Sequence, residues 1–127
     1  MNNIRDYRDL EVWKNGISLV TEIYRICEFL PKEETYGLSG QMKRAAVSIP
    51  ANIAEGQGRS GLKDFVHFLS ISLGSVYELS TELVICNRIG YLSENQTSIA
   101  SDMCETLSKM ISRLIKVLVS KSADDSQ

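Results

Sequence analysis

The hydrophobic residues of this chain recur at steps of three and four positions along four long segments. In the first segment, two apolar stripes lie side by side: Leu10, Trp13, Ile17, Val20, Tyr24 and Cys27, and Leu19, Ile23, Ile26 and Leu30. This spacing is typical of amphipathic helices, whereas no window alternates for long with the period of two that a strand requires. The pattern predicts four helices, over about residues 9–30, 39–57, 60–89 and 94–121.

Residues near the helix ends support these bounds. Pro31 stops the first helix, and the stretch after it is expected to be a linker with one helical turn. Ser60 suits the N-cap of the third helix, and Gly90 suits the position just after its end. Ser93 and Gln96 have the spacing of a capping box, which predicts the start of the fourth helix.

The connections between the predicted helices are short, and short connections favour antiparallel neighbours. The sequence therefore predicts an all-α fold, an antiparallel up-down-up-down four-helix bundle, as a single domain over residues 1–127 with a frayed tail over residues 122–127. A chain of 127 residues can bury one core. Its hydrophobic fraction of 43% and charged fraction of 24% are those of an ordinary globular protein.

The second helix divides into three faces when its residues are placed at intervals of about 100°. The core face is apolar and consists of Leu38, Met42, Ala45, Ala46, Ile49 and Ile53. A polar stripe beside it consists of Gln41, Arg44, Ser48, Asn52, Glu55 and Arg59. The third face holds Val47, Pro50, Ala51 and Ala54. This helix is thus apolar on two sides, with the polar stripe between them.

The apolar third face has two interpretations. It is either a partly exposed surface of small residues or a subunit interface, since a helix that is apolar all round is usually buried. The double stripe of the first helix also exceeds what one core needs, so the patterns together favour a homo-oligomer. Because Pro50 lacks an N–H group, we also predict a kink near Ala46–Pro50 within one continuous helix.

The polar stripe has a predicted partner on the third helix. Antiparallel packing brings Arg44 near the later part of that helix, where Glu78 and Glu82 lie beside its core face. We predict an Arg44–Glu78 ion pair, which would fix the register of the two helices. The polar stripe, together with Glu78, is the candidate working surface of an interaction protein.

Candidate catalytic and ligand-binding residues are sparse. Gly56, Gly58 and Gly61 have the spacing of a dinucleotide-binding loop, but they follow a helix rather than a strand, so the end of a helix and a turn explain them better. No acid or nucleophile is tied to His67, the single histidine. The three cysteines include no C-x2-C pair, which predicts buried reduced thiols rather than disulfides or a zinc site. We expect no enzyme activity, no cofactor and no metal.

Charge and hydropathy bear on the partners of the chain and on its compartment. The net charge of −2 does not draw the whole molecule to nucleic acid or anionic lipid. No apolar run approaches the roughly 20 residues of a membrane span, and the first residues do not resemble a signal peptide. We therefore expect a cytoplasmic protein with no membrane partner.

Basic residues form two candidate patches for nucleic-acid contact. Their members are Lys109, Arg113 and Lys116 on the fourth helix, and Lys43, Arg59 and Lys63 around the second helix and the turn after it. A solvated face is the usual meaning of such charges. In an oligomer, however, symmetry would multiply each patch into a ring that could bind the phosphate backbone of RNA or DNA.

Several segments resemble a known family. They are LEVWKNG, QMKRAAVSIPANIAEGQGR, DFVHFLSISLGSVYEL and NRIGYLS, and they are similar to the bacterial four-helix-bundle proteins encoded within intervening sequences of large-subunit ribosomal RNA genes. The resemblance spans about residues 7–118, and its most specific part runs from Arg44 to Gly56. It implies an antiparallel four-helix bundle that assembles as a homopentamer and has no known enzyme activity.

A relative within this resemblance, the accessory protein of diversity-generating retroelements, is strongly basic and binds nucleic acid and the reverse transcriptase. The present chain differs from it in net charge. Two hypotheses follow for its function. The first is a non-enzymatic oligomeric interaction or scaffold protein that acts through the polar stripe and Glu78. The second is an RNA- or DNA-binding module that acts through basic patches on the assembled oligomer.

Overall fold

The protein is described by a computed structural model that covers residues 6–125. Four long helices fill this part of the chain: α1 (Glu11–Cys27), α2 (Leu38–Gln57), α3 (Leu62–Arg88) and α4 (Glu94–Asp125). Short 3₁₀ turns precede α1 at Tyr7–Asp9 and precede α2 at Lys32–Glu34. The predicted all-α fold is confirmed, and the single helical turn expected in the first linker is present.

The four helices contact one another in cyclic order. α1 packs on α2, α2 on α3, α3 on α4, and α4 returns to α1, while diagonal pairs do not meet within residues 6–125. This is the arrangement of an up-down-up-down bundle. Its core consists of large side chains that are fully buried: Leu19, Ile23, Ile26, Met42, Ile49, Ile53, Leu69, Leu79, Leu83, Leu92, Leu107 and Ile111.

The predicted turn signals hold after α3 but not before it. Gly90 adopts a φ of +85°, the left-handed conformation that favours glycine after a helix. Ser93 and Gln96 form the expected capping box, since the Gln96 N–H donates to Ser93 Oγ at 3.1 Å and the Ser93 N–H donates to Gln96 Oε1 at 2.8 Å. Ser60 was the wrong choice of N-cap, because α3 begins at Leu62 and Gly61 takes the cap position.

The last helix is longer than the sequence predicted. α4 continues to Asp125 instead of fraying after Lys121, and residues 126–127 lie outside the described part of the chain. No glycine or proline interrupts this stretch. Ser122 and Ala123 line a cleft with Val66 of α3, so the end of α4 lies beside the start of α3.

Pro50 lies inside the subunit rather than on an outer face, which corrects its assignment to the third face. It is buried, and a Cβ atom added to Gly16 of α1 would lie 3.4 Å from two atoms of the proline ring. α1 therefore packs against α2 at this point, with Gly16 facing the ring. α2 is one continuous helix through Pro50, as predicted, while the bend itself stays a prediction.

By length and composition, α3 is the one helix within residues 6–125 that could cross a membrane. A core helix of a globular bundle passes the same test. Leu69, Val76, Leu79 and Leu83 of α3 are buried among the other helices, and 39% of its most apolar window is buried within the chain. Its hydropathy is higher than the sequence analysis assumed.

Candidate interaction surfaces

The middle of the polar stripe packs against α3 and forms what we call the α2–α3 seam (Ser48, Asn52, Ser72, Ser75 and Glu82). Ser48 Oγ and Ser75 Oγ lie 2.6 Å apart and share a hydrogen bond. Asn52 Nδ2 donates to the Ser48 carbonyl at 2.8 Å, and Ser72 Oγ donates across the helices to the Ile49 carbonyl at 2.8 Å. These polar groups satisfy one another inside the chain, so they fix the packing of α2 on α3.

The predicted Arg44–Glu78 ion pair is not formed among the described residues. Arg44 is exposed and folds back along its own helix, because a Cβ atom added to Gly40 would lie 3.2 Å from Arg44 Nη1. Side chains on a helix lean toward its N-terminus, and this direction places the guanidinium beside Gly40, one turn earlier on α2. Gln41, at the start of the stripe, is exposed.

The most unusual group of the seam is Glu82, which sequence reasoning did not place among the site residues. Its side chain is only 4% exposed, and its Oε1 atom has no hydrogen-bond donor among the described residues. Burial, and then the neighbouring carboxylate of Glu78, raise the pKa of Glu82 to about 7, while Arg44 acts in the opposite direction. The sequence signal that could have indicated its burial is its position between Leu79 and Leu83, which are both buried in the core.

The C-terminal end of the polar stripe is a clamp between α2 and α3. Arg59 donates to Glu55 Oε2 through Nη2 at 2.6 Å and Nε at 2.9 Å, and its guanidinium lies 5.0 Å from the ring centre of Phe68. A Cβ atom on Gly56 would lie only 2.7 Å from Phe68 Cβ. The missing side chain at Gly56 therefore lets α3 approach α2 closely. Gly58 is the C-cap residue of α2.

The rest of the third face is only partly available to a partner. Val47 is 44% exposed and Ala51 is exposed, whereas Ala54 is half-buried. The Lys43 ammonium lies 4.8 Å from the ring centre of Tyr24 of α1, a cation–π contact that occupies one member of the predicted basic patches. An interface through Val47 and Ala51 stays a prediction.

The predicted basic residues of α4 lie together in one cleft. We call it the basic cleft, with a volume of about 430 Å³, and it is lined by Tyr77, Ser108, Lys109, Ser112, Arg113 and Lys116. Lys109 Nζ lies 3.3 Å from Glu105 Oε2, which offsets part of its charge. Tyr77 of α3 is 55% exposed at this cleft. The sequence did not reveal this aromatic member because its placement depends on the register of α3 against α4.

The other predicted basic residues are not part of this cleft. Lys43 contacts Tyr24, Arg59 is held by Glu55 and Phe68, and Lys63 lines a separate cleft with Val66 and Val119. The six residues predicted to contact nucleic acid are therefore divided among different places on a single copy. Lys109, Arg113 and Lys116 are the three that line one cleft.

An apolar groove between α1 and α4 is the second surface of note. It has a volume of about 330 Å³, and its lining is Leu10, Glu11, Val12, Met110, Arg113, Leu114 and Val117. Val117 is 57% exposed. The run from Leu114 to Val119 has Lys116 as its single polar residue, so this part of α4 is apolar around most of its circumference. A helix of this type is usually covered on every side.

The cysteines and the histidine do not line the basic cleft or the apolar groove. Cys27, Cys86 and Cys104 are free and buried, as predicted. Burial is the main cause that raises the pKa of Cys86 and of Cys104 to about 11, which makes these thiols unreactive. His67 is exposed and packs edge-on against Phe68. Within residues 6–125, no cluster of three or more His, Cys, Asp or Glu side chains is arranged to hold a metal ion.

Comparison with known proteins identifies what the chain is similar to. The family described as 23S rRNA-intervening sequence protein matches residues 8–113. A solved structure of a protein of unknown function from the S23 ribosomal protein family of Bacteroides thetaiotaomicron is 25% identical, with a TM-score of 0.77. That match covers 83% of this chain and 98% of the other. No curated protein matches the chain.

Proposed function

The chain belongs to the 23S rRNA-intervening sequence protein family, and we propose that it acts as a non-enzymatic scaffold that assembles from several copies. The observation that carries the proposal is the apolar groove together with the apolar run Leu114–Val119 of α4, which one copy leaves partly exposed. Burial of such a surface stabilises association by roughly 25 cal/mol per Å² of apolar area removed from water. The resemblance of the sequence favours five copies.

Other exposed apolar side chains support the same proposal. Single exposed hydrophobic residues are common on any protein, but here they recur along one helix, where Ile71 and Ile85 of α3 and Ile89 at its C-cap are each at least 40% exposed. Val47 of α2 is similarly exposed. A ring of copies requires two different contact surfaces on each copy, since its interface is head-to-tail. The groove between α1 and α4 and the outer faces of α2 and α3 lie on opposite sides of the bundle and suit this requirement.

The proposed assembly is tested by a charge placed in the apolar groove. Val117→Glu puts a carboxylate in the groove, one turn from Arg113. Burying this charge in an apolar contact should weaken the assembly even where Arg113 pairs with it, because both ions lose their water. Ser101→Glu is the matched control, because Ser101 is exposed on the same helix and outside the groove. Light scattering on the three proteins should give an oligomer for the wild type and the control and a smaller species for Val117→Glu. An unchanged mass for Val117→Glu would exclude the groove as an interface.

A second function is favoured by the basic cleft. Lys109, Arg113 and Lys116 contribute three positive charges, and the exposed ring of Tyr77 adds a surface on which a base could stack. We propose that the assembled copies bind RNA or DNA through this cleft. The net charge of −2 requires that the charges be concentrated locally, as they are here.

Nucleic-acid binding is tested with a labelled ribosomal RNA fragment across a salt series. Arg113→Gln with Lys116→Gln should weaken binding and reduce the salt dependence, since removing one bond to a phosphate makes the slope of log affinity against log salt shallower by about one unit. Lys14→Gln is the control, because Lys14 lies on α1 and does not line the basic cleft. Its ammonium lies 3.5 Å from Glu11 Oε2. Absence of binding by the wild type at low salt would rule out this second function.

A further inference from the structure

The α2–α3 seam holds a carboxyl group whose hydrogen bonding is incomplete. Glu82 is 4% exposed, and its Oε1 atom receives no hydrogen bond from any donor in residues 6–125. An ionised carboxylate in this position would be an uncompensated buried charge, which is among the costliest arrangements in a protein interior. A neutral carboxylic acid costs much less to bury, because it carries no charge and its hydroxyl can donate.

The neighbour of Glu82 suits this neutral form. Glu78 lies one turn earlier on α3 and is exposed, at the i, i+4 spacing that brings two side chains together on a helix surface. Its carboxylate acts on Glu82 and, after burial, is the next cause that raises the pKa of Glu82. Two carboxylates cannot donate to each other, whereas a carboxylic acid donates readily to a carboxylate. A single proton held between the two groups therefore satisfies both. We propose that Glu82 and Glu78 share one proton in the folded bundle, and that loss of this proton as the pH rises loosens the α2–α3 seam.

The other groups near Glu82 do not remove the need for this proton. Arg44 of α2 favours the ionised form, but its guanidinium lies against Gly40 rather than in an ion pair. Cys27 of α1 and Cys86 of α3 also act electrostatically with Glu82. Burial raises the pKa of both thiols above its ordinary value, so they are neutral near pH 7. α4 contributes no charged group to this set among the described residues.

The direction of the pH effect follows from the pKa of Glu82, which rises from 4.5 to about 7 on folding. The folded chain then holds more protons than the unfolded chain between these two values, so stability is lost as the pH rises through 7. Between pH 5.5 and pH 8, the folding equilibrium constant should fall by about 25-fold. The effect stems from a seam inside one chain and does not depend on the proposed assembly.

The direct test is an NMR titration of the glutamate side-chain carboxyl carbons in the wild-type protein, with the Glu82 signal assigned by its loss in Glu82→Gln. We expect this signal to titrate near pH 7. In Glu78→Gln the amide can donate to Glu82, so the midpoint should move to lower pH, a shift that a purely structural role of Glu78 would not cause. A Glu82 signal that titrates below pH 5 in the wild type would overturn the proposal.

Unfolding by urea at fixed protein concentration provides the second readout. Glu82→Gln imitates the neutral acid, so this variant should lose most of the decrease in stability between pH 5.5 and pH 8. Glu105→Gln removes an exposed carboxylate and should keep the wild-type pH dependence. His67→Gln measures the contribution of the single histidine. The same pH dependence in Glu82→Gln as in the wild type would contradict the shared proton.

Discussion

The two sides of this bundle hold their helices together in different ways. Between α2 and α3, polar groups bond across the helices, as Ser48 does with Ser75, and Gly56 brings the backbone of α2 close to Phe68. Between α1 and α4, Leu10, Met110 and Leu114 line an open apolar groove. The α2–α3 seam is thus specified within one chain, whereas the apolar groove retains surface that another molecule can cover.

This difference separates residues that position helices from residues that are available to partners. The sequence makes the polar stripe the natural candidate for the working surface of an interaction protein, because hydrogen-bonding groups recur along it. Most of those groups instead satisfy each other or an intramolecular partner, as in the Glu55–Arg59 pair. The apolar groove, in contrast, exposes hydrophobic side chains that a single copy does not cover. We therefore propose that assembly uses the groove.

The largest effect on stability is expected at Gly56, where the close packing of the α2–α3 seam can be tested. In Gly56→Ala, the new Cβ would lie 2.7 Å from Phe68 Cβ and 3.3 Å from the Phe65 carbonyl oxygen. Relieving these contacts should lower the free energy of unfolding by about 1–3 kcal/mol, as overpacking does elsewhere. Gly74→Ala is the control, since a Cβ there meets no atom within 4 Å, and it should stabilise α3 by about 0.5–1 kcal/mol. Equal effects of the two variants in urea unfolding would show that the seam is not tightly packed.

A smaller loss is expected from the hydroxyl pair of the seam. Ser75→Ala removes a hydrogen bond of 2.6 Å to Ser48 and should lower the free energy of unfolding by about 1 kcal/mol. The double variant with Ser48→Ala should cost less than the sum of the single ones, because both changes remove the same bond. Ser70→Ala is the control, as its exposed hydroxyl donates to the Val66 carbonyl of its own helix. Strict additivity of the pair would contradict this coupling.

The smallest change in stability is expected in the apolar groove. Val117→Ser should alter the free energy of unfolding of the isolated copy by less than about 0.5 kcal/mol, because this side chain is 57% exposed. Unfolding is measured at a protein concentration low enough to hold the chain as single copies. A loss above about 1 kcal/mol under these conditions would mean that Val117 is packed within the chain, and the contrast between the two sides would disappear.

The sequence allowed the helices and the bundle to be predicted because both depend on periodicity and on local signals such as Gly90 and Ser93. Family membership followed from contiguous motifs. The predictions that were wrong concern which residues a side chain contacts in the folded bundle. A helical wheel gives the direction of Pro50 but not the path of α1, which covers it through Gly16. It also gives no rotamer, so it did not show that Arg44 turns back along its own helix.

The candidate site was predictable to a more limited degree. Lys109, Arg113 and Lys116 were found because helical spacing alone places them together, and the structure brings them into one cleft. Tyr77 was missed because it joins that cleft only through the register of α3 on α4. Glu82 was missed as a site residue because a glutamate beside a core face is normally solvated, and its position between Leu79 and Leu83 was the one signal that it is buried.

The central claim is that copies of this chain assemble through apolar surface that a single copy leaves uncovered. Native mass spectrometry of the purified wild-type protein at micromolar concentration tests it most directly, because this method counts the copies in each complex. We predict a discrete complex of several chains, with five favoured by the resemblance of the sequence. A mass equal to that of one chain, maintained as the concentration is raised tenfold, would contradict the account.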